Sequence, residues 1–370
     1  MRVRRREELV CRWRADGLEA GVPDRRQWIQ LSPDLVKLLE QAGDGVELDE
    51  LAAAFGAEHE PDVRKAVDAL LDLGVLVRDD TQETPVRRPE LWERWGAVAE
   101  RFHTETRDAD YLVDSPERAD VAAEIVEEGG APNVFKEYPD RPVVPLPRKL
   151  VPLSASVEET FAARRTHRAF TGQPVGLDAF STLLFHTFAP HRFVHGGQFG
   201  TQQCRVSASA GGRHEVEAYV VVHDVVGVAP GLYHYAPSRH ALELLDGAAD
   251  RERVAALSYR QEPSYQGAFT VLTTAVANRL AWKYRHPRAY RLWMYDAGHY
   301  AQTFALAATA LGLGPFQTVA FADSEVERFL GVDPAEEFAV YLLSAGVPDG
   351  AAGDPPLPSD FTFPPPTHLA

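Results

Sequence analysis

The sequence predicts an α+β fold, a central sheet around a long buried helix, preceded by a small winged-helix-like unit. Three observations carry this. The run Tyr295 to Leu311 is rich in alanine and apolar on most of its faces, which marks a helix packed on all sides. Four short apolar runs, rich in β-branched and aromatic residues, predict strands at Glu217 to His223, Leu232 to Tyr235, Phe269 to Ala275 and Phe338 to Ser344. The first 80 residues read as three short helices and a terminal strand.

In order along the chain, Glu8 to Arg14 reads as one or two strands. Ser32-Pro33 supplies an N-cap and a first-turn proline for a helix with Leu35, Val36, Leu38 and Leu39 on its apolar face, ending near Gly43. A second helix spans Leu48 to Phe55. The third places Val63, Ala66, Val67, Leu70 and Leu71 on one face before Gly74 and the strand-like Val75-Leu76-Val77. Such a unit often meets DNA, and Met1 to Arg26 carries eight Arg against five acids. The third helix, however, offers Arg64 and Lys65 against Asp62, Asp68 and Asp72, which favours peptide binding or packing over DNA.

Leu91 to His103 reads as helical, and Ala131 to Pro152 as a proline-rich connector running extended, since proline excludes helix and central strand. Ser156-x-x-Glu159 is a capping box for a helix reaching about Arg164. Leu177, Phe180, Leu183 and Leu184 mark another helix. The expected divisions are residues 1–85, 86–152, 153–348 and a proline-rich tail, 349–370.

The chain has 370 residues, 45% hydrophobic, with 38 Lys and Arg against 54 Asp and Glu, a formal charge of −16. This charge argues against nucleic acid or an anionic membrane as partner. Two cysteines, Cys11 and Cys204, make no disulfide framework or four-cysteine zinc site. With no apolar run long enough to span a bilayer and no signal-like start, the expected location is the cytoplasm.

Three segments carry candidate chemistry. Arg164-Arg165-Thr166-His167-Arg168 joins guanidinium donors to a hydroxyl, the set a phosphate needs. Ser207-Ala208-Ser209-Ala210-Gly211-Gly212 offers small residues and backbone N–H groups for close approach to a planar or anionic ligand. Trp282 to Arg291 crowds cations around Lys283 and Tyr284, lowering the pKa of either toward general-base work. Each also has an ordinary reading, as a helix end, a loop before a strand and a solvated basic loop. Gly312-Leu313-Gly314 lacks the third glycine of a dinucleotide fingerprint. No GxSxG, Walker or HExxH motif is present. His186, His191 and His195, spaced across Pro190, read as ordinary histidines, and no metal is expected.

Taken together, RRTHRAF, RVSASAGGRHEVEAYVVV, PGLYHYAPSRHALELL, WKYRHPRAYRLWMYDAGHYAQTFALAATALGLG and FADSEVERFLGV resemble the SagB-type dehydrogenases, a branch of the nitroreductase-like flavoproteins, over Ser156 to Gly346. The resemblance implies FMN held at a homodimer interface. Arg164, Arg165, Thr166 and Arg168 would grip its phosphate and ribityl chain. Ser207, Ser209, Ala210, Gly211 and Gly212 would contact the flavin from the opposite subunit, and Leu313 and Gly314 would lie close to it. His299 and Gln302 would stand on the central dimer helix. Azoline-oxidising members place a Lys-Tyr pair by the flavin, where Lys283-Tyr284 stands here; they oxidise thiazolines or oxazolines of a modified precursor peptide to azoles.

The implied reaction sends a hydride to FMN and a proton to Lys283 or Tyr284, with dioxygen as final oxidant. The first unit would recognise a leader peptide, and a cyclodehydratase would be a partner. The alternatives are an FMN oxidoreductase of the same fold acting on a nitro group, an activated alkene or another peptide Cα–Cβ bond, and a flavin-free scaffold. The chain departs from the usual pattern at Thr166, His167, Ala208, Arg213 and Glu215, and residues 347–370 contain no Lys or Arg. Phosphate binding then rests on the first arginine cluster.

Overall fold

The structure, a computed structural model, describes residues 1–6, 9–22, 27–79, 90–109 and 117–350. The expected tail after 350, the start of the segment at 86 and part of the N-terminal arginine run lie outside the described residues. The chain forms two compact units, Met1–Asp110 and Tyr111–Ala370.

In the first unit, β1 (Arg2–Arg5) is followed by β2 (Val10–Arg14), β3 (Gly17–Val22), β4 (Gln27–Leu31), α1 (Pro33–Gln41), β5 (Val46–Glu47), α2 (Leu48–Ala53), α3 (Glu60–Asp72), β6 (Leu76–Arg78) and α4 (Glu90–Glu105). Ser32 caps α1 by accepting from the Leu35 N–H at 3.2 Å, as its sequence predicts. The three helices and the β5-β1-β6 sheet close over Val3, Leu38, Leu51, Val67, Leu70 and Leu76. The separate β2-β3-β4 meander extends beyond the one or two strands expected there. α4 breaks at Gly96, where φ is +82°.

The second unit opens with α5 (Glu117–Glu128), β7 (Val143–Pro145), α6 (Val157–Ala163), α7 (Leu177–Phe188) and the hairpin β8 (Arg192–His195) and β9 (Thr201–Cys204). Then follow β10 (Val216–Val222), β11 (Gly231–Ala236), β12 (Ala241–Asp246), α8 (Arg251–Leu257), α9 (Glu262–Gln266), β13 (Phe269–Val276), α10 (Ala277–Ala281), α11 (Leu292–Ala310), β14 (Gly314–Thr318), α12 (Asp323–Leu330) and β15 (Glu337–Gly346). Seven strands pair antiparallel in the order β14-β15-β13-β10-β11-β12-β7.

β10 is apolar almost throughout because both faces of this sheet are covered. Val220 and Val222 join Phe180, Phe188, Tyr300 and Phe304 of α7 and α11 on one face. Tyr219 and Val221 join Leu257, Val326 and Leu330 of α8 and α12 on the other. The connector runs along this sheet. β7 pairs with β12 as an edge strand, a position that tolerates Pro145. Lys136 reaches the buried Glu337 carboxylate and the Tyr219 hydroxyl, and the Tyr138 N–H donates to Glu243 at 3.1 Å.

Candidate active site

α11 organises the site. Its buried side carries Asp296, Tyr300 and Phe304, and the loop Ser207–Gly212 is tied along its first half. The Ser207 hydroxyl lies 2.7 Å from that of Thr303, His299 Nδ1 donates to the Ala208 carbonyl at 3.2 Å, and the Ala210 N–H donates to Asp296 at 2.8 Å. The Ser209 hydroxyl accepts from the His214 N–H and donates to Glu215. Both serine hydroxyls are therefore engaged in shaping the loop. Burial, then the negative charge of Asp296 beside it, pushes the fully buried Glu215 carboxyl up to about 8. At neutral pH Glu215 keeps its proton and can share it with Asp296.

Lys283 and Tyr284 come to the same loop from the end of β13. That strand runs directly into α10, and the Lys283 and Tyr284 N–H groups both donate to the Leu280 carbonyl. Gly211 has φ of +58°, and a Cβ there would lie 2.5 Å from Tyr284 Oη and 2.8 Å from Lys283 Nζ. Only glycine meets both the left-handed backbone and the close approach. The Lys283 ammonium stands 4.9 Å from the centre of the Phe199 ring, beside which lies Trp282. Trp282 donates to the Gly129 carbonyl at 3.0 Å, and Arg285 pairs with Glu128 at the end of α5.

Arg279, on α10, fixes this pair. Its guanidinium lies 2.6 Å from Glu217 of β10 and donates to the carbonyls of His214 and Asn133 at 3.0 and 2.9 Å. Sequence reasoning missed Arg279, Asp296 and Phe199. An arginine inside a short apolar helix, ANRLAW, was the available signal for the first of them, since such a residue is buried only when paired.

The arginine cluster lies at the other end of α11. The His167 N–H donates to the Pro315 carbonyl at 2.9 Å, and a Cβ on Gly314 would fall 2.8 Å from His167 Cγ. The segment Arg164–Arg168 is thereby tied, through His167, to Gly314-Pro315. Burial and the nearby Arg165 hold His167 below the usual histidine range, so it adds no charge to the cluster at neutral pH. Between His299, which meets the loop, and Leu313 the helix advances roughly 20 Å. Within one chain the structure brings Ser207–Gly212 to Lys283-Tyr284, and Arg164–Arg168 to Leu313-Gly314, but leaves the two groups apart. Gln302 is exposed on the helix between them.

An antiparallel sheet backed by one long helix, with glycine-built approaches at both helix ends, defines the class of protein. The family model for nitroreductases matches residues 161–347, and the chain belongs to the nitroreductase family. It is 32% identical over 222 residues to the trifolitoxin-processing protein of Rhizobium leguminosarum bv. trifolii, covering 58% of this chain and 59% of that one. It is 30% identical over 191 residues to a nitroreductase-family protein of Methanocaldococcus jannaschii, covering 51% of this chain and 90% of that protein. A crystal structure of a nitroreductase-family protein from Anabaena variabilis shares the fold, with a TM-score of 0.52, 23% identity, and coverage of 72% of this chain and 52% of that one. The chain thus spans between half and two thirds of the length of the first relative and of this structure.

The sequence blocks resemble the SagB-type branch of this family, and the chain is similar to a protein named for trifolitoxin processing. The cofactor of this fold is FMN. The residues present fit it: three guanidinium groups and a hydroxyl for a phosphate, and two glycines where a Cβ would collide. Among the described residues no group of metal-binding side chains assembles, and no helix is long and apolar enough to cross a membrane.

Proposed function

We propose that this protein is an FMN-dependent dehydrogenase that oxidises thiazoline or oxazoline rings of a modified precursor peptide to thiazoles or oxazoles. The observation that carries this is the convergence of the Lys283 and Tyr284 head groups on Gly211 of the loop expected to face the flavin. A general base and a hydride acceptor, placed together, are what removal of two hydrogens from such a ring requires. FMN, when bound, supplies the hydride acceptor. Arg164, Arg165, Thr166 and Arg168 would hold its phosphate, the loop Ser207–Gly212 would contact it, and the Lys283-Tyr284 pair would take the proton from the ring carbon next to the carbonyl. Phe199 and Trp282 form an apolar wall that limits water around the pair.

The roughly 20 Å between the two half-sites supports a homodimer in which one protomer supplies the arginines and the other the loop with the Lys-Tyr pair. The relative named for trifolitoxin processing supports a substrate that is itself a natural product under maturation. Its rings come from a cyclodehydrating step, so a cyclodehydratase is the partner class. The first unit fits binding of the precursor peptide. β2 and β4 are edge strands open to an added strand, and Trp13 on β2 stands exposed.

The test is aerobic incubation of the purified yellow protein with a thiazoline peptide, read by mass spectrometry. A loss of about two mass units, abolished in Lys283→Ala and Tyr284→Phe proteins that retain flavin, is the expected result. Flavin absorbance without the mass change points to a second reading, an FMN oxidoreductase acting on a nitro group, an activated alkene or another peptide Cα–Cβ bond. The match along 90% of the Methanocaldococcus protein favours that one next.

A further inference from the structure

Arg213 stands two residues after Gly211, against which the Lys283 and Tyr284 head groups lie. It is 2% exposed, yet it forms no ion pair with a carboxylate among the described residues, and its Nε is closed off with no hydrogen-bond partner. The two terminal nitrogens also donate to nothing among the described residues, but they are not sealed from solvent. The nearby carboxyls are committed elsewhere: Glu215 to the Ser209 hydroxyl, Asp296 to the Ala210 N–H and Glu217 to Arg279. A buried cation without an anion is costly, and its unused donors are open to a ligand that enters the site.

Aromatic rings fix where those donors stand. The guanidinium carbon lies 5.2 Å from the centre of the Trp282 ring, a contact that offsets part of the cost of burying the cation. Trp282 is held in turn by its 3.0 Å bond to the Gly129 carbonyl, and it meets Phe199 edge to face with ring centres 5.8 Å apart. Lys283 Nζ stands 4.9 Å from the Phe199 centre. One apolar wall thus carries the guanidinium on one ring and the ammonium on the other. Two residues of chain span at most about 7 Å, so the Arg213 backbone is that close to the glycine both head groups meet.

Removing a proton from a carbon next to a carbonyl sends charge onto the carbonyl oxygen, and a preorganised donor at that oxygen lowers the barrier. Lys283 and Tyr284 account for the proton but not for the oxygen. We propose, building on the dehydrogenase reading above, that Arg213 is a catalytic residue whose terminal nitrogens bind this carbonyl oxygen and offset its developing charge. As the ring C–H bond breaks, its proton passes to the Lys283-Tyr284 pair and its electrons move toward the oxygen held by Arg213. Those electrons return to form the ring double bond as a hydride leaves the neighbouring carbon for FMN.

The test is calorimetric titration of the FMN-loaded protein with two probes: thiazole-4-carboxylate, whose anionic oxygens mimic the charged carbonyl, and the neutral thiazole-4-carboxamide. We expect the carboxylate to bind about tenfold to a hundredfold more tightly. Arg213→Met should remove that preference, and Arg213→Lys, a point charge without the planar fork, should restore part of it. No turnover is needed, so the azoline reading fails separately: a carboxylate preference in a protein that takes no mass from a thiazoline peptide sinks that reading alone. With such a peptide as substrate, Arg213→Met should lower kcat about a hundredfold to a thousandfold at unchanged flavin content. A parent that binds the two probes alike, or binds neither, overturns the proposal. So does an Arg213→Met protein that keeps the preference and shifts only the flavin reduction potential, which would assign the guanidinium to the cofactor. If the methionine variant does not fold, Arg213→Gln takes its place with the same expectation.

Discussion

Arg279 and Glu217 face each other at 2.6 Å, each almost wholly buried, and the pair joins strand β10 to the short helix that leads into Lys283 and Tyr284. Burial by itself raises the Glu217 carboxyl. The Arg279 guanidinium and His234 outweigh burial and hold it down to about 2. Removing the guanidinium leaves a buried carboxylate with His234 as its remaining partner. Arg279→Met should therefore cost about 3 to 5 kcal/mol of folding stability and displace Lys283 and Tyr284. A Glu217→Gln change added to it should recover part of the loss. Urea unfolding of the three proteins measures this. The sign with pH follows from the depressed pKa: the Glu217 contribution is present above the usual carboxylate value of 4.5 and is lost as pH falls toward 2.

Glu215 behaves in the opposite way. Its carboxyl is raised to about 8, so between pH 4.5 and 8 the folded state holds a proton that the unfolded chain has released. Stability therefore falls as pH rises across that window. Glu215→Gln keeps a neutral group of the same shape without the titration. Its stability should change less between pH 5 and pH 8, the difference from the parent being on the order of 3 kcal/mol. An identical slope for the two proteins, read from urea midpoints at each pH, would show that Glu215 is already ionised in the fold.

Much of the architecture could be read in the sequence because local signals and tertiary packing agree. The capping box at Ser156 and Glu159 is present with both bonds, and the small-residue run from 295 to 311 falls in α11, its last residue, Leu311, forming the C-cap. The elements that escaped notice are those whose pattern is set by context. β12 reads ALELLD, a helix-forming composition, but it pairs between β11 and β7. β14 begins with Gly314-Pro315, usually a turn signal, and succeeds as the sheet's outer strand. In the site, the arginine cluster and the glycine loop stand out by composition. Asp296, Arg279 and Phe199 matter through neighbours more than 60 residues away along the chain, and one sequence holds no trace of such pairings.

The proposed phosphate capture rests on the segment tied to Pro315. Arg164→Ala or Arg165→Ala should each weaken FMN binding about tenfold to a hundredfold, the loss of one or two charge-assisted hydrogen bonds. Thr166→Ala, which removes a neutral donor, should cost about tenfold or less. Quenching of FMN fluorescence on titration with apoprotein gives these constants. Equal affinity in all three variants would remove the cluster from the phosphate site.

The exposed stripe of α11 decides whether the two half-sites meet. Tyr295, 54% exposed, His299 and Gln302 stand at i, i+4 and i+7, with open space over Gly298. An antiparallel pairing of two such helices is self-complementary, as a two-fold dimer requires. It would set the arginine cluster of one protomer against the Lys283-Tyr284 loop of the other. Tyr295→Asp places two facing carboxylates in that contact and should yield a folded monomer. If the half-sites do combine across the dimer, that monomer must also lose FMN, although every residue expected to touch the cofactor is intact. Sedimentation velocity recorded at the flavin absorbance measures both at once. Flavin that co-sediments with monomer would mean that one chain holds the cofactor unaided, and the roughly 20 Å between the motifs would then need another explanation.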